Sequence, residues 1–318
     1  MIDSKGVSME KVIVFGSFVV DLMARADRLP KAGETVRGNF FKMGPGGKGF
    51  NQAVACHMAG GEPITVIKLG KDEFSKLATN LMDDINMDTD YVLYSDDKPT
   101  GVALIPVDEV SGENQIMIVP GASESISSNE VYKLEDVIED ASYILLHYEV
   151  NQDANELMKK IALEKSKKVI VNTAPYVDVD KKFYEGLYLV TPNESEAESL
   201  TGVRVKDLES CRKASDIIKD MGVQNVIITL GKEGVFVDSC GKSEIIPSYK
   251  VKAVDTTGAG DAFNGGLLAA LSEGKDIFSA AKFANATAGL AVTKMGTSVA
   301  MPTRVEIDQF IQRMDHAN

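Results

Sequence analysis

The chain predicts an α/β fold on a mainly parallel sheet, with a smaller, mostly antiparallel sheet standing outside the main layer. The first observation behind this is the alternation of short β-branched runs with longer amphipathic stretches. Val12 to Phe15, Ile64 to Leu69, Tyr143 to Leu146, Val169 to Val171, Tyr188 to Val190 and Val226 to Leu230 are largely apolar, as strands covered on both faces are. Helical periodicity near Asn51 to Ala59, Glu73 to Ile85, Asp153 to Lys165, Glu194 to Leu200 and Leu208 to Met221 fills the intervals, which makes the order βαβα. After Val251 the pattern is helical over Asp261 to Leu271, Ile277 to Val292 and Val305 to Met314. Second, Val20 to Met43 and Thr100 to Val119 carry shorter alternating segments, such as Thr35 to Phe40 and Gln115 to Val119, which suit an antiparallel sheet. Third, no internal repeat or low-complexity linker interrupts the chain. Residues 10–20, 44–99 and 120–318 are therefore assigned to the α/β unit, and 21–43 and 100–119 to the small sheet. Such a sheet has two uses: a lid over a ligand, or a face that pairs with a second copy.

The composition narrows the function. A chain of 318 residues with 44% hydrophobic and 25% charged residues can bury a full core. Its net charge of −13 and pI near 4.8 argue against a nucleic-acid partner, so an anionic ligand needs a local pocket. Cys56, Cys211 and Cys240 stand far apart in no metal-binding spacing, which fits a reducing compartment. The polar stretch Met1 to Lys11 has no apolar core and the first apolar run is broken by Gly16-Ser17 and Asp21, so neither a signal peptide nor a membrane span is expected. The expectation is a cytoplasmic protein.

The segment Asp255-Thr256-Thr257-Gly258-Ala259-Gly260-Asp261-Ala262-Phe263-Asn264-Gly265-Gly266 joins three small residues to a carboxylate where an apolar run begins. Amides of Gly258, Ala259 and Gly260 can point into one concavity, and a helix starting there adds the positive end of its dipole. That suits a phosphate. Asp261 at its edge repels the phosphate unless it has chemistry to perform, such as taking a proton from a hydroxyl that attacks phosphorus. The structural alternative is an aspartate N-cap beside a tight turn.

A second glycine-rich turn, Met43-Gly44-Pro45-Gly46-Gly47-Lys48-Gly49-Phe50-Asn51-Gln52-Ala53, also leads into a helix. It satisfies the G-x-G-x-x-G spacing, but it does not follow the first buried strand, and no Walker A motif exists. The two segments together, Gly46-Gly47-Lys48-Gly49-x-Asn51-Gln52-Ala53 and Asp255-Thr256-x-Gly258-Ala259-Gly260-Asp261-x-Phe263, resemble the signatures of the ribokinase branch of the PfkB carbohydrate kinases. Gly16-Ser17 with Asp21, Gly33-Glu34-Thr35, Thr100-Gly101-Val102-Ala103, Thr191-Pro192-Asn193-Glu194-Ser195-Glu196-Ala197-Glu198 and Ile228-Thr229-Leu230-Gly231 follow in that family's order.

The resemblance implies a three-layer α/β/α ribokinase-like fold with a β-sheet lid, and an ATP-dependent transfer to a primary sugar hydroxyl. It implies Asp261 as general base, with the amides of Gly258, Ala259 and Gly260 stabilising the transferring phosphoryl group. Asp21, Gly47, Lys48, Asn51 and Glu149 match sugar-binding positions; Asn51 could equally cap its helix and Asp21 sit in a turn. Asn193 and Glu196 match residues that organise Mg²⁺ and phosphates largely through water, though Asn with Glu three residues on is also a helix capping box. Thr229 and Gly231 match nucleotide-binding positions. Asp255, Thr257 and Gly296 match a monovalent-cation site that makes K⁺ an expected cofactor, but the branch's distal serine ligand is Ala300 here. A homodimer through the lid is also implied.

One departure bears on the substrate. Ribokinases carry Gly-Ser-x-Asn-x-Asp after the first strand, whereas this chain reads Gly16-Ser17-Phe18-Val19-Val20-Asp21. Val19 turns a polar sugar contact into an apolar wall, as in the family's 2-deoxyribose kinases, so the expected substrate is a pentose such as ribose or 2-deoxyribose, or a related sugar that lacks or differently presents one hydroxyl near Val19. A nucleoside, ketohexose or sugar acid is the enzymatic alternative, and a noncatalytic sugar-binding regulator the remaining one. His57, His147 and His316 form no cluster by spacing, and His147 reads as a satisfied strand-end histidine.

Overall fold

The computed structural model describes residues 9–316, so the polar stretch Met1 to Lys11 lies outside the described residues except for Met9 to Lys11. An eight-stranded sheet runs Lys242–Ile246, Val235–Ser239, Asn225–Thr229, Leu189–Val190, Lys168–Asn172, Tyr143–His147, Val12–Phe15, Pro63–Val66. The six strands from Asn225–Thr229 to Pro63–Val66 are parallel, and the remaining two are antiparallel.

Alternation along each strand builds two cores. Val12 and Val14 join one apolar cluster with the helices Lys48–Met58, Ala259–Ser272 and Ile277–Ala291. Ile13 and Phe15 join the other, with Gln152–Glu164, Glu194–Thr201 and Leu208–Asp220. The sheet is thus buried on both faces between two helical layers, which is the three-layer architecture expected.

Three elements differ from their expectation. Ile64 to Leu69 is not one strand: Pro63–Val66 belongs to the main sheet and Lys68–Gly70 pairs with Leu93–Ser95. Thr35 to Phe40 is not a strand either; the strand starts at Phe40 and runs to Gly46. Alternation in so short a stretch cannot tell a strand from an exposed turn, and 35–38 lie exposed or nearly so. The antiparallel edge Val235–Ser239 and Lys242–Ile246 was absent from the sequence reading, although the two-residue Cys240-Gly241 loop between alternating runs is a hairpin signal.

A separate four-stranded sheet, ordered Phe40–Gly46, Val19–Ala26, Thr100–Asp108, Met117–Gly121, stands beside the main one. Its connection to the body is short. Gly47 leaves the sheet at φ 90° and starts the helix at Lys48, and a Cβ there would come within 2.8 Å of the Phe18 Cα, so only glycine fits.

Candidate active site

Strands of a parallel sheet carry ligands at their C-terminal ends, above all where the strand order reverses. Here the order reverses around Val12–Phe15, which has Pro63–Val66 on one side and Tyr143–His147 on the other. Ser17 follows the first of these strands and Glu149 the last, and the Ser17 hydroxyl donates to the Glu149 carboxylate at 2.6 Å. The Lys48 amide donates to the same carboxylate oxygen at 2.9 Å, so Glu149 also anchors the start of the helix Lys48–Met58. Asn172, Asn193 and Thr229 stand at or just beyond the ends of the next three strands, and Asn193 bridges Thr229.

The helix Ala259–Ser272 begins at Gly258, which makes Asp261 its third residue. Asp261 does not cap the helix: its carboxylate turns inward and accepts from Asn51 Nδ2 and Gln52 Nε2, each at 3.0 Å. Asp261 is only 8% exposed. Burial raises its pKa; the Lys48 charge and the Gln52 and Asn51 hydrogen bonds oppose that rise. The net effect leaves the Asp261 carboxyl above its ordinary value. Of the cradle's three expected amides, that of Ala259 donates to the Thr256 carbonyl at 3.2 Å, while those of Gly258 and Gly260, with that of Asp261 itself, meet no backbone carbonyl among the described residues.

Asp261 belongs to a closed circuit. Gln52 Nε2 also donates to Asn172 Oδ1 at 3.0 Å, and Asn172 Nδ2 to the Thr191 carbonyl at 3.1 Å. The Thr191 hydroxyl then donates to Asn264 Oδ1 at 2.7 Å, and Asn264 Nδ2 to the Gly260 carbonyl at 2.9 Å. The carboxylate and the loop that precedes it are thereby held by one network. Gln52, Asn172, Thr191 and Asn264 were not assigned a role from the sequence, although Gln52 lies inside the first signature, Asn264 directly follows the second and Thr191 opens the Thr191 to Glu198 segment.

A cavity of about 200 Å³ brings Asp261 and Gly258 to Gly260 together with Lys48, Asn193, Glu196 and Thr229. Lys48 therefore sits on the side of the nucleotide-type residues rather than with Asp21. Burial lowers the Lys48 pKa, but the carboxylates of Asp261, Glu149 and Glu196 outweigh it and hold the ammonium charged. Asn193 and Glu196 do form a capping box. Both Glu196 oxygens are engaged there, one by the Asn193 amide at 3.0 Å and Thr173 at 3.1 Å, the other by Asn193 Nδ2 at 2.9 Å. A metal ion meeting Glu196 would do so through water, consistent with the reluctance of Mg²⁺ to dehydrate. Beyond Thr256 and Ala259 a second cavity, about 490 Å³, runs past Gly231, Ser248 to Val251, Asn285 and Gly289; of these only Gly231 was anticipated.

Asp21 lies on the four-stranded sheet, facing a third cavity with Asp255, Thr257 and Gly296. Its pKa is raised to about 6 by burial and then by the charges of Glu149 and Asp261. Val19 shares its sheet face but is 4% exposed and lines none of these cavities. The Asp255 carboxylate accepts from the Thr257 and Gly296 amides, each at 3.0 Å, so the expected cation-site residues do meet. His147 is fully buried, with Nε2 facing the Ser17 amide at 3.2 Å; burial and then Lys48 pull its pKa to about 3, which keeps it neutral.

The family model of the pfkB carbohydrate kinases matches residues 9–304. The chain belongs to that family. This kinase is 38% identical to a ribokinase of Haemophilus influenzae, over 94% of the chain and 97% of the relative. It is 32% identical to a deoxyribokinase of Salmonella typhimurium, over 94% and 98%. An Arabidopsis thaliana ribokinase structure complexed with ribose and ATP superposes with a TM-score of 0.89 at 28% identity, covering 96% of this chain and 99% of that one. No helix among the described residues is long and apolar enough to cross a membrane.

Two outcomes follow for this kinase. Since Asp21 titrates higher in the folded state than the ordinary aspartate value of 3.8, its raised pKa favours folding fully below that value and loses this contribution as pH rises through about 6. Asp21→Asn is therefore expected to be more stable than wild type at pH 8, by about 1–3 kcal/mol, with the difference shrinking toward pH 4 in urea titrations. Gln52→Leu removes a donor that favours the Asp261 carboxylate. The acid limb of the kcat/KM profile is expected to move up by about one pH unit, with activity lost more at pH 6 than at pH 8.

Proposed function

We propose that the protein is an ATP-dependent pentose kinase that transfers the γ-phosphoryl group to a primary hydroxyl, with Asp261 as general base. The observation that carries this reading is the buried Asp261 carboxylate beside helix-terminal amides, in one cavity with Lys48 and the Asn193–Glu196 pair. A hydroxyl brought against Asp261 loses its proton to a carboxylate whose position is already fixed. Amides at the helix start, chiefly those of Gly258, Gly260 and Asp261, together with the Lys48 ammonium, oppose the charge that develops on the transferring group.

ATP spans the two adjoining cavities, its phosphates beside Thr229 and Lys48 and its base beyond Gly231. Asn193 and Glu196 would hold Mg²⁺ through water, and the ion would supply neutralising charge to the phosphates. Asp21, Asn51 and Glu149, with the backbone at Gly47, bind the sugar. Asp255, Thr257 and Gly296 meet at the position where the family resemblance implies a monovalent cation. The small sheet, residues 21–43 and 100–119, serves as the lid that excludes water. The use of ATP suits a cytoplasmic enzyme.

Val19 lies two residues from Asp21 on the same sheet face but is buried at 4% exposure, so it withholds from the Asp21 side the hydrogen-bonding group that a ribokinase asparagine would offer. We assign 2-deoxyribose as the preferred pentose on this ground. The other face of the lid sheet carries Phe41, Leu104 and Met117, exposed at 65%, 40% and 64%. Met43, Leu22, Leu104 and Met117 stand in one cross-strand row, an apolar stripe that a second copy of the chain would cover.

ATP consumption with Mg²⁺ is to be measured across 2-deoxyribose, ribose, other pentoses, ketohexoses and nucleosides. Turnover is expected to be fastest on 2-deoxyribose, with Val19→Asn moving the preference toward ribose by about 10-fold. Asp261→Asn is expected to lose at least about 10³-fold in kcat while keeping nucleotide affinity; turnover within tenfold of wild type would remove Asp261 from its role. Sedimentation is expected to give a dimer that Phe41→Asp with Met117→Lys converts to monomer, and a wild-type monomer at micromolar concentration would end the dimer reading.

A further inference from the structure

The cavity of about 170 Å³ beneath the four-stranded sheet is lined by two carboxylates, Asp21 from the sheet and Asp255 from the loop opposite, and by one ammonium, that of Lys42. Thr257, Gly296 and Thr297 line it with Asp255, and Lys42 reaches it from the strand Phe40–Gly46. Lys42 pairs across the sheet with Met23, which places it on the same face as Asp21. A Cβ built on Gly296 would stand 3.6 Å from Lys42 Nζ, so the ammonium lies over the backbone turn that closes around Asp255. The Lys42 charge also acts on Asp255: burial raises that carboxyl's pKa, and the Thr257 and Gly296 donors, with Lys42 after them, bring it below its ordinary value.

These residues fit a free K⁺ poorly. Both Asp255 oxygens already accept backbone amides. Position 300, where the resemblance calls for a hydroxyl ligand, offers the buried methyl of Ala300. Any cation entering the cavity also meets the ammonium of Lys42, a like charge in a confined space. We propose that Lys42 is a tethered substitute for the monovalent cation, so that this enzyme works without K⁺. The ammonium offsets the Asp255 carboxylate at the head of the loop that carries the phosphate-binding amides, a charge that would otherwise add to the repulsion of the incoming phosphates. Because Lys42 belongs to the lid sheet, that compensation is delivered by the same sheet that presents Asp21 to the sugar. This inference rests on the kinase reading above.

The test compares KCl with tetramethylammonium chloride at equal ionic strength, for full-length wild type, Lys42→Met and Lys42→Arg, reading the thermal midpoint and turnover with Mg-ATP and a pentose. Wild type and Lys42→Arg are expected to hold their midpoint within about 1 °C and their rate within about twofold between the salts. Lys42→Met is expected to turn over about tenfold more slowly without K⁺, to recover with it, and to gain a K⁺-specific rise in midpoint. A wild type activated more than about fivefold by K⁺, with a matching midpoint rise, overturns the proposal. So does a Lys42→Met enzyme that keeps the full rate and ignores K⁺. Failure to turn over any pentose would instead count against the kinase reading, and the midpoints would still decide whether Lys42 fills a cation site.

Discussion

The site depends on how the Asp261 carboxylate is buried. An ionised carboxylate in a protein interior costs several kcal/mol unless its lone pairs are engaged, and Asn51 and Gln52 supply the two donors. Those donors sit on a different helix, so the helices Lys48–Met58 and Ala259–Ser272 must meet in one register. Gly265 sets it: a Cβ there would lie 2.4 Å from the Ala55 Cβ and 2.5 Å from the Gln52 carbonyl. The two backbones come close enough for Gln52 to reach across, and any larger residue at 265 would part the base from its donors.

From that contact the restraint spreads to the sheet. Gln52 ties the carboxylate to Asn172 at a strand end, and Thr191 and Asn264 return the chain of hydrogen bonds to the Gly260 carbonyl. The Asp261 carboxylate and the amides at the start of its helix thus share one rigid reference, the C-terminal edge of the parallel strands. Preorganisation of this sort matters because a group already in place needs no reorganisation as charge develops.

What was legible in the sequence follows from the same physics. Parallel strands are apolar on both faces, so Val12 to Phe15 and Val226 to Leu230 announced themselves, as did the two glycine-rich turns, whose backbone demands restrict the residue type. Gln52, Asn172 and Asn264 were not legible as a set. An amide side chain has no local signature of its purpose, and these three lie on separate elements that only the packed helices bring together. Thr35 to Phe40 misled for the opposite reason, since a local pattern there has no tertiary partner to enforce it. Lys48 was legible as a site residue, but its motif fixes where the backbone turns and not where a long flexible side chain ends.

The charge distribution explains why the site is assembled in an unfavourable state. Glu149, Asp261 and Glu196 surround a partly buried Lys48, Asp21 faces two of the same acids, and the acids outnumber the cation. Asp21 bears the cost most plainly, with its pKa at about 6 and no donor of its own among the described residues. A hydroxyl donating to Asp21 would replace the lost solvation and relieve that cost. Lys48 faces the other way: three carboxylates hold it charged before any phosphate arrives, which makes it ready for a polyanion without first taking up a proton. The acids thus have two functions, making hydroxyl donors welcome on one side and keeping the cation charged on the other, and a neutral pocket of the same shape would do neither.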